Sequence, residues 1–280
     1  MLTMPALTDL MLTEMGDFFS RFDVMSDAEF ERLPLIVEGE SKIVRRTPGG
    51  LALIKLKPTI YSFTANRAAV VPGSDLLRLR ATRTLVAELQ KNHCPHTYLH
   101  VGERFILSTI VVNPPPIEVI VKGFHSGTSK HRYRGMSGMA LRESHPFYDT
   151  PIEDDGAYPQ ALVRFDWRNP LRDATGKALA DEVLGDDTAD LFIDTKMARP
   201  IAMRAFRVLS NFLAARDIVL YDLCLFITED GTTNFGEVSQ DCGRFRHFEL
   251  GSLDKDVWRA GGSSADVLAK WQLLNDAIER

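Results

Sequence analysis

Two short stretches concentrate side chains that could do chemistry. VKGFHSGTSKHRYRG, residues 121–135, holds Lys122, Lys130, Arg132 and Arg134, adds His125 and His131, and contains no acidic residue. Within it Ser126-Gly127-Thr128-Ser129 follows an apolar run. Glycine lets backbone N–H groups turn toward a ligand, hydroxyls add donors, and a helix N-terminus favours an anion. The stretch reads as a phosphate site or as a solvated basic loop, the common fate of basic runs. GEVSQDCGRFR, residues 236–246, puts Glu237, Ser239, Asp241 and Arg244 in one turn-like segment. Two carboxylates, a hydroxyl and a guanidinium suit a polar ligand or a metal–phosphate pair, and equally a polar surface turn.

Two other stretches suggest metals and carry the suggestion poorly. HCPH at 93–96 offers His93, Cys94 and His96, but no second pair with ligand spacing accompanies it, so a helix-to-strand junction is the better reading. EVLGDDTAD at 182–190 is acidic without the terminal bidentate glutamate of a calcium loop, and reads as a solvated loop or flap.

The elements that must position these residues follow from periodicity. Residues 1–34 read as a helical appendage whose second helix opens at Ser26 with Glu29 in capping-box spacing. VEGESKIVRR, LALIKLK and IYSFT predict consecutive antiparallel strands, and YLHVGERFILSTIVV a hairpin around Gly102. SDLLRLRATRTLVAELQ predicts a covering helix behind a Ser74 cap, with Leu77, Ala81, Leu85 and Leu89 on one face. Asn113-Pro114-Pro115-Pro116 can continue neither helix nor ladder, which sets an expected boundary between a lobe at 35–113 and one at 114–280. Beyond it come strand EVIVKGF, an irregular acidic stretch over about 145–195, and a helix with Ile201, Ala205, Val208 and Phe212 in phase. A hairpin turning at Glu229-Asp230-Gly231 and a C-terminal helix from near Ser263, with Val267, Leu268, Trp271, Leu274 and Ile278 inward, complete the chain. Sheets and helices are segregated, so the class is α+β.

The totals bound the partners. A formal charge of −5 argues against a surface that grips nucleic acid, so any basic site is local. Cys94, Cys224 and Cys242 are odd in number and widely spaced, unlike a disulfide framework. No run approaches the roughly 18 apolar residues of a membrane helix. The expectation is a soluble, cytoplasmic protein without nucleic-acid or membrane partners, compatible with a homo-oligomer.

Taken in order from about Val37 to Ile278, the motifs resemble the SAICAR synthetase family, purine-pathway ligases that join aspartate to a carboxylated aminoimidazole ribonucleotide using ATP. VEGESKIV resembles the family's glycine-lysine-x-lysine strand, EVIVKGFHSGTS its arginine-rich strand ending in a glycine-serine turn, and YDLCLF its aspartate-bearing strand. EVSQDCGR resembles the glutamate-(Ile/Phe)-serine-proline-aspartate-x-x-arginine signature, and LDKDVWR the aspartate-lysine-aspartate motif with a following arginine. The resemblance implies two α+β lobes with a nucleotide cleft between them. It implies ATP at Gly39, Lys42 and Asp222, Mg²⁺ at Asp222 and Glu237, and catalysis by Lys42, Asp222 and Glu237. It places a phosphorylated acceptor and an amino acid at Lys122, Gly127, Thr128, Ser239, Asp241, Arg244, Lys255 and Arg259.

The sequence also departs from that pattern. Glu40 replaces the first lysine of the opening motif, and strand alternation would turn it to the same face as Lys42. Cys224 and Phe226 stand where the family has lysine and glutamate, Gly236 where an aspartate precedes Glu237, and Gln240 replaces the signature proline. KPTIYSFTANR replaces an aspartate-rich loop. The resemblance implies an amide-forming ligase working through an acyl phosphate, with a changed substrate suited to specialised metabolism. The departures favour an alternative, a descendant that binds a phosphorylated small molecule without ATP-dependent ligation. A kinase-type phosphotransferase ranks last, because no HRD- or DFG-like set occurs.

Overall fold

A computed structural model describes residues 22–62, 67–127, 130, 132–176 and 179–280. The chain enters through a 3₁₀ turn at Phe22–Val24 and helix α1 (Asp27–Arg32), which Ser26 and Glu29 cap reciprocally as their spacing predicts. The first helix expected in the appendage lies outside the described residues.

Strands β1 (Leu35–Glu38), β2 (Lys42–Arg46), β3 (Ala52–Leu56), β6 (Tyr98–Val101) and β7 (Ile106–Ser108) form an antiparallel sheet ordered β1-β2-β3-β7-β6. β4 (Thr59–Ser62) and β5 (Arg67–Val70) pair separately, and helix α2 (Ser74–Lys91) follows. The hairpin around Gly102 is present, with Val101 opposite Ile106. VEGESKIVRR is two strands rather than one, because residues 39–41 turn and the Gly39 amide donates to the Lys42 carbonyl at 2.9 Å. Ser74 is the first helical residue of α2, not its cap; Gly73 caps the helix at φ 91, a left-handed conformation open to glycine.

The second sheet is ordered β10-β9-β8-β11-β13-β14: β10 (Glu182–Leu184), β9 (Ala157–Trp167), β8 (Ile117–Phe124), β11 (Ile218–Ile227), β13 (Gly243–His247) and β14 (Gly251–Ser252). β12 (Asn234–Phe235) pairs with β11 across the expected 229–231 turn. The acidic stretch is therefore not irregular. It supplies β9, β10 and helix α3 (Asp186–Ala189), and Arg199 pairs with Asp186 there.

Helix α4 (Thr195–Ala214) covers one face of this sheet. Its buried stripe is Ala198, Ala202, Ala205, Phe206, Leu209 and Leu213, rotated from the expected one, so that Ile201, Val208 and Phe212 are only partly buried. Small alanines let the helix lie close to Ile117, Val119 and Val121 of β8 and Leu223 and Leu225 of β11. Helix α5 (Asp256–Arg259) precedes α6 (Ser264–Ile278), capped by Ser263 and Asp266, with Val267, Trp271, Leu274 and Ile278 buried. The main core runs from Leu56 and Leu85 through Phe165 and Leu225 to Leu274, so both sheets share it. Among the described residues no helix is long and apolar enough to cross a membrane.

Candidate functional site

The face of the second sheet away from α4 carries the polar side chains. On β8, Ile117, Val119 and Val121 enter the core, so alternation turns Glu118, Ile120 and Lys122 to the other face. On β11 simple alternation would put Asp222 beside Leu220 in the core. A register shift between Leu220 and Asp222 against β13 interrupts it, and Leu223 and Leu225 become the core residues while Asp222, Cys224 and Phe226 turn outward. A bulge of this kind re-aims side chains. Lys122 then lies opposite Asp222, and Asp222 opposite Arg244.

These three form a continuous buried row. Lys122 Nζ donates to Asp222 Oδ2 at 2.5 Å, and Arg244 donates to the same oxygen. Arg244 also pairs with Asp256 at 3.2 Å, which accepts from Arg246 and Arg259, while Arg246 pairs with Asp254. Four cations thus share three carboxylates. Burial alone would raise the Asp222 carboxyl, but Lys122 and Arg244 hold it well below its ordinary 3.8. Burial pushes the Lys122 ammonium down, Asp222 offsets part of this, and Arg244 adds to the depression. The surplus positive charge suits an anion.

Gly127 joins this row. It adopts φ 62, and a Cβ there would overlap the Arg244 guanidinium, so the glycine permits the loop to lie on the arginine. Thr128, Ser129 and His131 lie outside the described residues. The rest of the basic stretch is paired with other carboxylates: Lys130 with Asp155 at 2.7 Å and Arg132 with Glu182 at 3.4 Å. His125 is buried, with Nδ1 at 2.8 Å from the Tyr158 hydroxyl.

The turn preceding β13 forms a second group. Ser239 donates to Glu237 at 2.5 Å, and its hydroxyl accepts from the Asp241 amide. Asp241 pairs with Lys255 at 2.9 Å, bringing together two residues that the sequence placed in separate motifs. Arg78 of α2, which sequence reasoning missed, grips Glu237 with both arms of its fork at 2.7 and 2.6 Å, and donates to the Lys57 carbonyl at 3.1 Å. It is wholly buried, and it lies on the face of Ala81, Leu85 and Leu89, so an arginine in the apolar stripe was the available signal. Burial raises and Arg78 lowers the Glu237 carboxyl, and Arg78 prevails.

Lys42 borders this turn. Its Nζ is 4.8 Å from the centre of the Phe226 ring, and a Cβ on Gly236 would come within 3.3 Å of it. Burial lowers the Lys42 ammonium, partly offset by Glu237. Glu40 does not share its face. It sits in the 39–41 turn, exposed, with its carboxylate on Arg172 at 2.8 Å.

The residues do not fit a divalent metal. Asp222 is saturated by two cations and Glu237 by a bidentate guanidinium, and Asp241, the carboxylate near Glu237, is paired with Lys255. Among the described residues no three His, Cys, Asp or Glu side chains gather as a metal site, HCPH included. A hard cation needs six or more oxygens, several of them unpaired.

Comparison with known proteins agrees with the sequence motifs. No family model matches the chain. It is 29% identical to the bifunctional cordycepin biosynthesis cluster protein 3 of Cordyceps militaris over 91% of this chain, and spans 34% of that protein's length. It is 23% identical to the phosphoribosylaminoimidazole-succinocarboxamide (SAICAR) synthase of Sulfolobus acidocaldarius, covering 88% of this chain and 98% of that one. A SAICAR synthetase solved in complex with ADP superposes with a TM-score of 0.69 at 20% identity, over 86% of this chain and 96% of that one. In sequence the chain is similar to SAICAR synthases, and it shares the fold of solved SAICAR synthetases.

Proposed function

We propose that the protein is an amide-forming carbon–nitrogen ligase of the SAICAR synthetase type, acting on a phosphorylated, carboxylated, ribonucleotide-like acceptor in specialised metabolism. The observation that carries this is the buried Lys122–Asp222–Arg244 row with Gly127 laid on its arginine: one positive charge in excess, beside a turn of backbone, at the end of a rigid sheet. Charge-assisted bonds from Arg244 and Lys122 would hold the acceptor phosphate. The Asp241–Lys255 pair, with Arg259 nearby on α5, would orient the carboxylate and amine groups of the incoming amino acid.

In this reading the acceptor carboxylate attacks the γ-phosphorus of ATP and ADP leaves. The neutral amine then attacks the acyl carbon, phosphate leaves, and the nitrogen gives up a proton as the amide forms. Lys42 neutralises charge on the phosphate chain, and catalysis rests on positioning and electrostatics. The ADP bound in a structural relative and the specialised-metabolism name of the Cordyceps relative support nucleotide use and a changed substrate.

A second reading is favoured by the misfit to a divalent metal: a descendant that binds the phosphorylated molecule without ATP-dependent ligation. The deciding experiment incubates the chain with ATP, a carboxylated ribonucleotide and a panel of amines including aspartate, and follows ADP release and amide mass together. Stoichiometric ADP and amide support the ligase. Saturable acceptor binding with neither product overturns it in favour of the second reading.

A further inference from the structure

Two of the departures from the family pattern are in contact. Phe226, Gly236 and Lys42 meet at one point, and Arg168 joins them, its guanidinium carbon 4.9 Å from the same ring. Gly236 is at φ 90, and a Cβ on it would come within 2.9 Å of Phe226 Cδ2, so the ring occupies the space a side chain at 236 would need. Two cations therefore lie within 5 Å of the centre of one aromatic ring.

Among the described residues neither cation has a carboxylate at short hydrogen-bonding distance. Lys42 makes no ion pair within 4 Å among the described residues, and its pKa is depressed by burial, so an anion beside it relieves an existing cost. Arg168 has only Glu118 at 3.8 Å, a carboxyl pushed up by burial, and half of its side chain is exposed. Its backbone amide is held by the Pro116 carbonyl at 2.9 Å, which fixes it at the end of β9. A ring face steadies a cation while leaving its N–H groups free to donate, which a carboxylate partner would not.

We infer that Lys42 and Arg168, set on the Phe226 ring, bind the phosphate chain of a nucleotide directly and without a divalent metal. This deepens the proposed function and rests on its placing a nucleotide beside Lys42. The two cations supply the charge neutralisation that a metal ion would otherwise provide, and the free polyphosphate, carrying more negative charge than its magnesium complex, is the preferred ligand.

The test is calorimetry of ATP and of inorganic tripolyphosphate on the full chain, in EDTA and in saturating Mg²⁺. Both ligands are expected to bind in EDTA, with affinity equal to or better than in Mg²⁺. Lys42→Met and Arg168→Met are each expected to weaken binding at least about tenfold, the loss of one charge-assisted contact. Lys91→Met, which removes an exposed charge at the end of α2, controls for net charge and is expected to change nothing. Arg168 is exposed enough that its variant tests the idea even if Lys42→Met fails to fold. Binding that requires Mg²⁺, binding unchanged in Arg168→Met, or no binding in either buffer overturns the inference. Metal-free binding without amide formation upholds it while the ligase reading fails.

Discussion

Removing the Arg78 guanidinium should expose how much of this site depends on one side chain. Arg78 and Glu237 are both buried, joined by two short bonds, and Arg78 also satisfies the Lys57 carbonyl. Arg78→Met keeps the helix and most of the volume, but leaves the Glu237 carboxylate buried without its cation. Breaking one side of a buried pair costs about 3–5 kcal/mol, and the abandoned carbonyl adds about 1 kcal/mol. Replacing both members, Arg78→Met with Glu237→Leu, removes the charge altogether and should recover most of the loss, since a buried pair is often no better than a packed apolar one. Urea unfolding followed by the fluorescence of buried Trp258 and Trp271 gives all four corners of the cycle. A single-variant loss below about 1 kcal/mol, or a double variant whose loss is the sum of the singles, would refute the claim that this pair holds the signature turn on α2.

Other outcomes follow from the same geometry. Arg244→Ala should weaken a phosphorylated acceptor by about 1.5–3 kcal/mol, roughly 10- to 150-fold, while leaving ATP affinity unchanged, and equal losses for both ligands in calorimetry would contradict the assignment. Glu40→Lys should cost at most about 1 kcal/mol, the worth of an exposed pair with Arg172, and should leave nucleotide affinity unaltered. Because the folded Asp222 carboxyl titrates below 3.8, the unfolded chain takes up its proton first as pH falls. Stability from Asp222 is thus complete above about pH 5 and lost progressively below pH 4, and in Asp222→Asn the urea midpoint should fall less steeply over that range.

Much of the fold was readable because it is written in local pattern. The Ser26 and Ser263 capping boxes, the 98–108 hairpin and the inward face of α6 each follow from spacing within a few residues. β9 was not readable. AYPQALVRFDW mixes charge and apolar residues and begins near a proline, and its strand character comes from pairing with β8 on one side and β10 on the other. Tertiary pairing overrides weak local preference in strands. The chain passes from one sheet to the other between Ser108 and Ile117, and the two sheets share a core, which no composition shift could reveal.

The site shows the same division at finer scale. Motif spacing named Lys122, Asp222 and Arg244, but their meeting depends on a register shift in β11 that one strand's sequence does not encode. Alternation placed Glu40 beside Lys42 and failed because three residues turn before the strand begins. Phe226 and Gly236, read as separate losses, are one physical change: the ring fits only because residue 236 has no side chain. A carboxylate introduced at 236 alone would strike the ring and strain a left-handed backbone, so it would need a smaller residue at 226 as well. Phe226 and Gly236 are therefore packed as a pair, with Lys42 and Arg168 within 5 Å of the ring centre. This packing leaves the Lys122–Asp222–Arg244 row untouched.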